Sequence, residues 1–462
     1  MSSFSSNIAS AVEEWNRSQA WDNIRASTTR DAALEQTQDT SPTSIHHFPN
    51  ELLETFFALA ITPPTLSEPP EGEPQITSPT TFLHVCRRWR HVALETGRLW
   101  TSVILTFPTS TAQVTRMLHW LQRSQTCALD ILFDFRDPDW VVIDEEDEHE
   151  FTAADIDAVL NIPLVRESVY RWRSLELLVD TWHPMLSFLQ HTQQFGQDMT
   201  NLETLRLARC NAYFACHEQP FQPATLNISL PLFGPNFTSC HLREVSFVGV
   251  HVDWELAELS LIGLTSLELK YQAQDVMPTI PSLARILRGN PLLEKLSIMG
   301  HVPQGQSNVN KEPILHLPHV SEFIFGFVDV ELGINFMQTF SFPALRVLTL
   351  ENVGISLRDE DAENSESFFV WLCRSPSTLN LPSITNLALI SIHISSTLFD
   401  SLFRSLPQLR VLHLSGLVPD GHQCALSVIR TQNLARLHSV IVKQNASSPL
   451  SMHTSFDLET SD

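Results

Sequence analysis

The residues best suited to chemistry are few and poorly spaced. The run CNAYFACHEQ brings Cys210, Cys216 and His217 close together, and Cys240-His241 follows. Thiolate and imidazole are ligands that zinc takes, but these separations match no common zinc site, and reduced thiols beside incidental histidines are the simpler reading. The run DEEDEHE at 144–150 could hold a cation or meet a basic partner. Like charges packed so densely more often form a solvated loop. No GxxxxGK[ST], HExxH, GxSxG or GxGxxG occurs, and none of the 19 histidines pairs with a nucleophile in a recognisable arrangement. The expectation is a protein that is not an enzyme and holds neither metal nor cofactor.

Bulk composition narrows the remaining classes. With 462 residues, 43% of them hydrophobic and 18% charged, the chain can build a substantial core. A formal charge of -23 argues against nucleic-acid binding, which needs cations to meet phosphates. The seven cysteines are odd in number and form no CxxC, and the start MSSFSSNIASAVEEW has neither a basic nor an apolar leader region. Reduced thiols in an intracellular protein, cytoplasmic or nuclear, are expected. No apolar run reaches the roughly 18 residues that span a bilayer, so no membrane partner is expected. Lysine is rare, and all four (Lys270, Lys295, Lys311, Lys443) come late.

Stepping along the chain, residues 1–44 carry a helical pattern around Val12, Trp15 and Ile24 and then a polar stretch, which predicts a loosely held helix and a linker. Residues 62–80, TPPTLSEPPEGEPQITSPT, are rich in proline and acid and read as an exposed insertion. Two helix candidates flank it. In FPNELLETFFALA, Pro49 suits a helix start and Glu51 its positive end, with Leu52, Leu53, Phe56, Phe57 and Ala60 on one face. The second opens at Ser78-Pro79, places Phe82, Val85, Cys86, Trp89, Val92 and Ala93 together, and ends at Gly97.

These helices pose a burial problem. Without the insertion, the segment from Ile45 to Trp100 has under about 40 residues, a size at which a domain needs outside help. Each Leu or Phe is worth roughly 1.5–3 kcal/mol when buried, and a dozen cannot hide within two short helices. The following domain or another protein must cover them.

Beyond residue 100 one pattern returns, apolar-x-x-apolar-x-apolar. It starts at Trp172, Leu202, Leu242, Leu264, Leu293, Val320, Leu345, Ile384, Leu409 and Leu437. Successive starts lie 30, 40, 22, 29, 27, 25, 39, 25 and 28 residues apart, in or near the roughly 20–29-residue period of leucine-rich repeats. Alternating apolar residues make a strand with one buried face. Helical segments stand between strands, as in SLARILRGNPLL, SFFVWLCRSP and STLFDSLFRSLPQL. Strand, helix, strand at this period predicts an α/β fold, an irregular solenoid whose parallel sheet curves with helices on its outer face. An ordinary α/β domain with strands of similar sequence is the alternative. Residues 101–445 form the repeat domain on this reading, and 446–462 a disordered tail.

HFPNELLETFF followed by FLHVCRRWRHVALETGRLW resembles the F-box, whose pattern opens with Leu-Pro and Glu-Leu-Leu, continues through a Val-Cys-Arg-x-Trp helix and closes with Leu-Trp. The matching positions are Pro49, Glu51, Leu52, Leu53, Phe56, Val85, Cys86, Arg87, Trp89, Arg90, Leu99 and Trp100, while Phe48 replaces the usual leucine and the 62–80 insertion replaces a short linker. MLHWLQRSQTCALDILFDF and SVYRWRSLELLV are similar to segments that follow the F-box in large fungal families with irregular leucine-rich repeats. The resemblance covers about residues 45–180, with the F-box at 45–100.

It implies a substrate-recognition adaptor of an SCF-type ubiquitin ligase, docked on a Skp-type adaptor and through it on a cullin scaffold. Phe48, Pro49, Leu52, Leu53, Phe56, Val85, Leu99 and Trp100 are the expected adaptor contacts, and Arg87, Arg88 and Arg90 stand at the rim or in solvent. Open-face strand residues Arg206, Glu244, Glu268, Lys270, Lys295, Glu322, Glu351 and His413 are the expected contacts to a protein substrate of unknown identity. The lack of lysine before Lys270 would limit self-modification. A leucine-rich-repeat interaction scaffold without a ubiquitin-ligase role is the alternative.

Overall fold

The computed structural model describes residues 3–28, 45, 48–61, 78–137, 149, 151–210, 220–234, 237, 241–303, 315–356, 364–374, 379–417, 421, 425–429, 436–443 and 455–457. The chain forms two compact units, Met1–Val141 with Glu148–Thr204, and Val142–Asp147 with Leu205–Asp462. The 29–44 linker, most of the 62–80 insertion and all of the acidic run except His149 lie outside the described residues.

In the first unit, α1 (Ser3–Thr28) buries Phe4, Ile8, Ala11 and Trp15, a stripe at i, i+4, i+7 and i+11. Phe4 meets Phe135 and Phe151 edge-on, with ring centroids 5.7 and 5.0 Å apart. Ser5 Oγ donates to the buried Asp155 carboxylate at 2.8 Å, and Asn7 Nδ2 donates to the Thr109 carbonyl at 2.9 Å. The expectation of a loosely held helix is thus corrected for its first part, where the Phe4–Trp15 stripe and two polar anchors find partners; the side chains of 19–28, Ile24 among them, lie outside the described residues.

A small helical core follows. Helices α2 (Asn50–Ala60), α3 (Thr80–Leu83) and α4 (Arg87–Glu95), with a 3-10 turn at Gly97–Trp100, bury Leu53, Phe57, Phe82, Val92, Ala93, Leu99 and Trp100 together. The single second helix read from the sequence is in fact two. Cys86 is extended, and its Sγ accepts the Trp89 N–H at 3.4 Å, so it caps α4 and breaks the face that Phe82 and Val85 were expected to share. Gly97 opens the 3-10 turn, and a Cβ there would stand 3.0 Å from the Ser124 carbonyl oxygen.

The rest of the first unit alternates strand and helix. Parallel strands β1 (Ser102–Thr106), β2 (Leu129–Asp134) and β3 (Trp172–Val179) pair in order, Val103 opposite Ile131 and Ile131 opposite Leu175. Between β1 and β2 lies α5 (Thr111–Arg123), started by a capping box in which Ser110 and Gln113 exchange side-chain-to-backbone bonds. Helices α6 (Ala153–Leu160), α7 (Pro163–Ser168) and α8 (Trp182–Phe195) complete the unit.

The second unit repeats one layout. Its strands are β4 (Thr204–Arg209), β5 (Glu244–Val248), β6 (Ser266–Gln272), β7 (Lys295–Gly300), the two-residue β8 (Leu315–His316), β9 (Glu322–Phe327), the two-residue β10 (Phe340–Ser341), β11 (Val347–Asn352), β12 (Asn386–Ile390), β13 (Val411–Ser415), β14 (Ser439–Lys443) and β15 (Ser455–Asp457). The eight strands β5, β6, β7, β9, β11, β12, β13 and β14 form a parallel sheet in that order, while β8 and β10 pair apart. Helices α9 (Trp254–Ser260), α10 (Ile280–Arg288), α11 (Val330–Met337), α12 (Val353–Ser356), α13 (Glu366–Arg374) and α14 (Ser396–Arg404) lie between strands, and α10, α13 and α14 stand where the sequence placed them. Part of the tail expected to be disordered pairs instead, β15 running antiparallel to β14.

The register explains why irregular spacing still makes a regular sheet. In every motif of this unit from Leu242 to Leu409, the first, fourth and sixth residues are buried. The second residue's carbonyl accepts two N–H groups from the next motif. Arg243 O takes Thr265 and Ser266, Thr265 O takes Glu294 and Lys295, and the pattern recurs through Glu294, Ser321, Arg346, Thr385 and Arg410. The eighth residue adopts positive φ at Gly249, Tyr271, Gly300, Ser391 and Gly416. Side chains rarely accept that conformation, so glycine holds three of the five. Insertions change the return path and leave the strand register alone.

Candidate functional site

Two surfaces carry the sequence-predicted residues, one in each unit. On the first, α2 divides its apolar residues between two sides. Leu53 and Phe57 are buried, and Phe57 stacks on Phe82 at 4.3 Å. Leu52, Phe56 and Leu59 recur at i, i+4 and i+7 on the other side, at 47%, 47% and 79% exposure. Val85 (55%) and Phe48 (40%) are exposed as well, and the Phe48 and Phe56 rings stack at 5.7 Å. Pro49 is exposed at the start of α2, its carbonyl accepting the Leu52 and Leu53 N–H groups.

Three expected contacts are therefore corrected. Leu53, Leu99 and Trp100 are 0%, 5% and 0% exposed and belong to the helical core. Trp100 donates its Nε1–H to the Ala93 carbonyl at 2.8 Å and lies under the Arg123 guanidinium, 4.8 Å from the ring centroid. The sequence grouped Leu52 with Leu53 because adjacent helical positions look alike on a coarse face, yet they lie about 100° apart. Leu59 was missed although its i+7 spacing from Leu52 was available.

Polar residues hold this surface in place. Arg88 donates to Asn50 Oδ1 at 2.9 and 3.1 Å and to the Phe48 carbonyl, tying α4 to the start of α2. Arg90 Nε donates to the Leu83 carbonyl at 2.8 Å. Trp89 packs against Phe57 at 4.9 Å, and its Nε1 is buried without a hydrogen-bond partner.

The second surface is the open face of the parallel sheet, built from third, fifth and seventh motif positions. Its third-position row runs Glu244, Ser266, Lys295, Glu322, Val347, and the fifth-position row Ser246, Glu268, Ser297, Ile324, Thr349, Ala388, His413, Ile441. Six expected residues come together here. Arg206 pairs with Glu244 at 3.3 Å, and Glu268 lies 3.3 Å from Lys270 and 3.4 Å from Lys295, which reaches Glu322 at 3.3 Å. Ser246 Oγ also donates to Glu268 at 3.0 Å. Burial alone would raise the Glu268 carboxyl, but Lys270, Lys295 and Ser246 hold it below the usual carboxylate range. Burial alone would lower Lys295, but Glu268 and Glu322 raise it. Arg206, Glu244, Ser246, Glu268 and Lys295 of this cluster line a cavity of about 300 Å³ with Thr265, Ser266 and Glu294.

The remaining two expected residues stand apart from that cluster. Glu351 is buried, which raises its pKa, and it accepts from Ser356 Oγ at 2.7 Å. His413 is half-buried in a stretch of the face occupied by Ile324, Val347, Ala388, Ile390, Val411 and Ile441. Thr349, Asn386, Ser415 and Ser439 share that stretch, so beyond Glu322 the face mixes apolar with uncharged polar residues around Glu351.

Ser187, Asp157 and His191 meet in the first unit, yet the carboxylate stands between the other two, His191 Nε2 lying 2.9 Å from Asp157 Oδ1 and Ser187 Oγ donating to the same oxygen. The hydroxyl is thus bonded to Asp157 and not to the imidazole, unlike a serine–histidine relay. Cys210 is exposed, whereas Cys216, His217 and Cys240 lie outside the described residues, among which no metal-binding cluster occurs. No described helix is long and apolar enough to cross a membrane.

No protein-family model matches this chain, and no curated protein matches it. Among solved structures it is similar to a Bacteroides fragilis protein from a structural-genomics programme, at 11% identity over 70% of this chain and 76% of that one, with a TM-score of 0.27. At that level the likeness carries no argument about fold or activity.

Proposed function

We propose that the protein is a substrate-recognition adaptor of an SCF-type ubiquitin ligase: the α2–α4 tip is an F-box that docks on a Skp-type adaptor, which joins it to a cullin scaffold. The second unit is then an irregular leucine-rich-repeat solenoid whose open sheet face holds a protein substrate. One observation carries the reading. The tip closes a core around Leu53, Phe57 and Trp100, with Trp120 of α5 packed against it, and still leaves Phe48, Leu52, Phe56, Leu59 and Val85 in solvent. Contiguous exposed apolar residues of this size mark an interaction surface.

The adaptor contacts on this reading are Phe48, Pro49, Leu52, Phe56, Leu59 and Val85. Co-purification of the full chain with a Skp-type adaptor tests it. Leu52→Asp with Phe56→Asp abolishes capture while leaving the thermal unfolding midpoint close to that of the parent chain. Capture that survives this double substitution, or a parent chain that captures no adaptor, sinks the proposal and leaves a repeat scaffold without a ubiquitin role.

A further inference from the structure

A groove runs along α5 in the first unit, bounded by α1 and the Thr80 turn, with a volume of about 540 Å³. Its floor is a single helical stripe, Ala112, Thr115, Arg116, His119, Trp120 and Arg123, with Glu14 and Thr80 on the walls. The volume lies within the range of ligand clefts. Its charges are unusual for a chain of formal charge -23.

Neither Arg116 nor Arg123 has an ion pair among the described residues. Arg123 is half-buried, and its guanidinium lies over the Trp100 ring. Desolvation lowers its pKa, and no carboxylate compensates. A cation drawn partly out of water without a counter-ion is a cost that a bound anion would relieve. Thr115 Oγ1 lies in the same stripe, buried and without a hydrogen-bond partner. Glu14 is the opposing charge, on the α1 wall.

Spacing adds to the charge argument. Arg116 and Arg123 are seven residues apart on α5, hence on one face and about 10 Å apart along the axis. An extended segment in the polyproline II conformation advances about 3.1 Å per residue with three residues per turn, so carboxylates three residues apart lie on one face about 9 Å apart and match that distance. We propose that the groove docks an extended acidic segment of a partner protein, two carboxylates spaced i and i+3 meeting Arg116 and Arg123, with Thr115 supplying a hydroxyl donor. This site is distinct from the exposed stripe of α2 and does not rest on the ubiquitin-ligase reading. The chain's own Glu68-Pro-Pro-Glu71 has the same spacing and is the rival occupant.

Fluorescence anisotropy with the full chain and a fluorescein-labelled peptide carrying two aspartates at i and i+3 is the test. Saturable binding is expected, weaker in high salt and absent when the aspartates are replaced by lysines. Arg123→Gln weakens it by about tenfold and Arg116→Gln by several-fold, as charge-assisted bonds do. Arg116 is exposed, so its variant reports on binding without disturbing the packing on Trp100. Thr115→Val, nearly equal in shape, produces a smaller loss. The proposal is overturned if no peptide binds, if Arg116→Gln and Arg123→Gln leave binding unchanged, or if a peptide with adjacent aspartates binds as tightly. Binding that appears only after deletion of residues 62–77 also overturns it, because the groove then belongs to the chain's own acidic segment.

Discussion

Helix α1 buries Phe4, Ile8, Ala11 and Trp15 within its own unit, whereas α2 buries Leu53 and Phe57 and turns Leu52, Phe56 and Leu59 to solvent. Both helices carry apolar residues at helical spacing, yet among the described side chains the Phe4–Trp15 stripe of α1 is covered by its own chain and the Leu52–Leu59 stripe of α2 is not. The difference shows that amphipathic periodicity reports a demand for burial and is silent on who supplies it. On α1 the supply is explicit, with Phe135 and Phe151 against Phe4 and Asp155 against Ser5. On α2 a second stripe stands beyond a core that is already closed.

Substitutions on the buried sides should have the largest effects. Phe57→Ala in α2 and Trp15→Ala in α1 each open a cavity in packed surroundings and are expected to cost about 3–5 kcal/mol. Phe56→Ala and Leu52→Ala, one residue from the buried pair, are expected to change stability by within about 0.5 kcal/mol, as surface substitutions do. Denaturant unfolding of the four variants is the measurement. A large loss from Phe56→Ala would mean that the exposed stripe is covered in solution, and the contrast between the two helices would disappear.

The next effect concerns the ground on which α1 sits. His149 lies between the Phe151 backbone and Asp180, its Nε2 3.0 Å from Asp180 Oδ2 and its Nδ1 3.1 Å from the Phe151 carbonyl, to which the protonated ring donates. Both side chains of the His149–Asp180 pair are nearly inaccessible, at 5% and 9%. Burial alone would lower the histidine's pKa, but the Asp180 bond, the Phe151 carbonyl and the charges of Asp180 and Asp137 outweigh it and raise the pKa above the ordinary value. A raised pKa in the folded state means that the stabilisation is fully present below the unfolded histidine value, about 6.5, and fades as pH rises through the folded value. His149→Ala is expected to cost roughly 1.5–3 kcal/mol at pH 6, the scale of a hydrogen bond to a charged group, and less at pH 8.5. Thermal unfolding across that range checks it, and a penalty that grows with pH contradicts the assignment. The Phe4 contact with Phe151 makes α1 the helix to loosen first.

How much of this was legible in the sequence follows from the same distinction. The motif read from spacing placed its buried residues correctly from Leu242 to Leu409, because period-2 alternation is a local property and each strand repeats it. The break at Cys86 was not legible. It depends on an extended backbone and a sulfur accepting the Trp89 N–H, while cysteine is not a preferred cap. The same limit moved Leu53, Leu99 and Trp100 from the surface to the core, since residue type alone could not tell the inner side of the tip from the outer. The charged face was legible as single residues but not as a set. Lys295 reaches Glu268 and Glu322 only because β6, β7 and β9 lie side by side, which depends on residues far apart in the chain.

The open face of the second unit poses the same question in charges: is it satisfied by itself, as α1 is, or waiting, as the stripe of α2 is? The pairs Arg206–Glu244, Lys270–Glu268 and Lys295–Glu322 balance one another, which points to self-satisfaction. A double-mutant cycle of Glu268→Gln and Lys295→Met separates the two answers, because a cycle isolates the pair from what each residue does alone. Coupling of about 0.5–1 kcal/mol, reduced by salt, is expected for partly exposed charges of this kind. Its pH dependence has a definite sign. A carboxyl held below its ordinary value stabilises the fold above the unfolded value, about 4.3, and that contribution is lost as pH falls through the folded one. Zero coupling at neutral pH would mean that the ladder is loose and its charges free for an incoming ligand. The charged part of the sheet would then resemble α2.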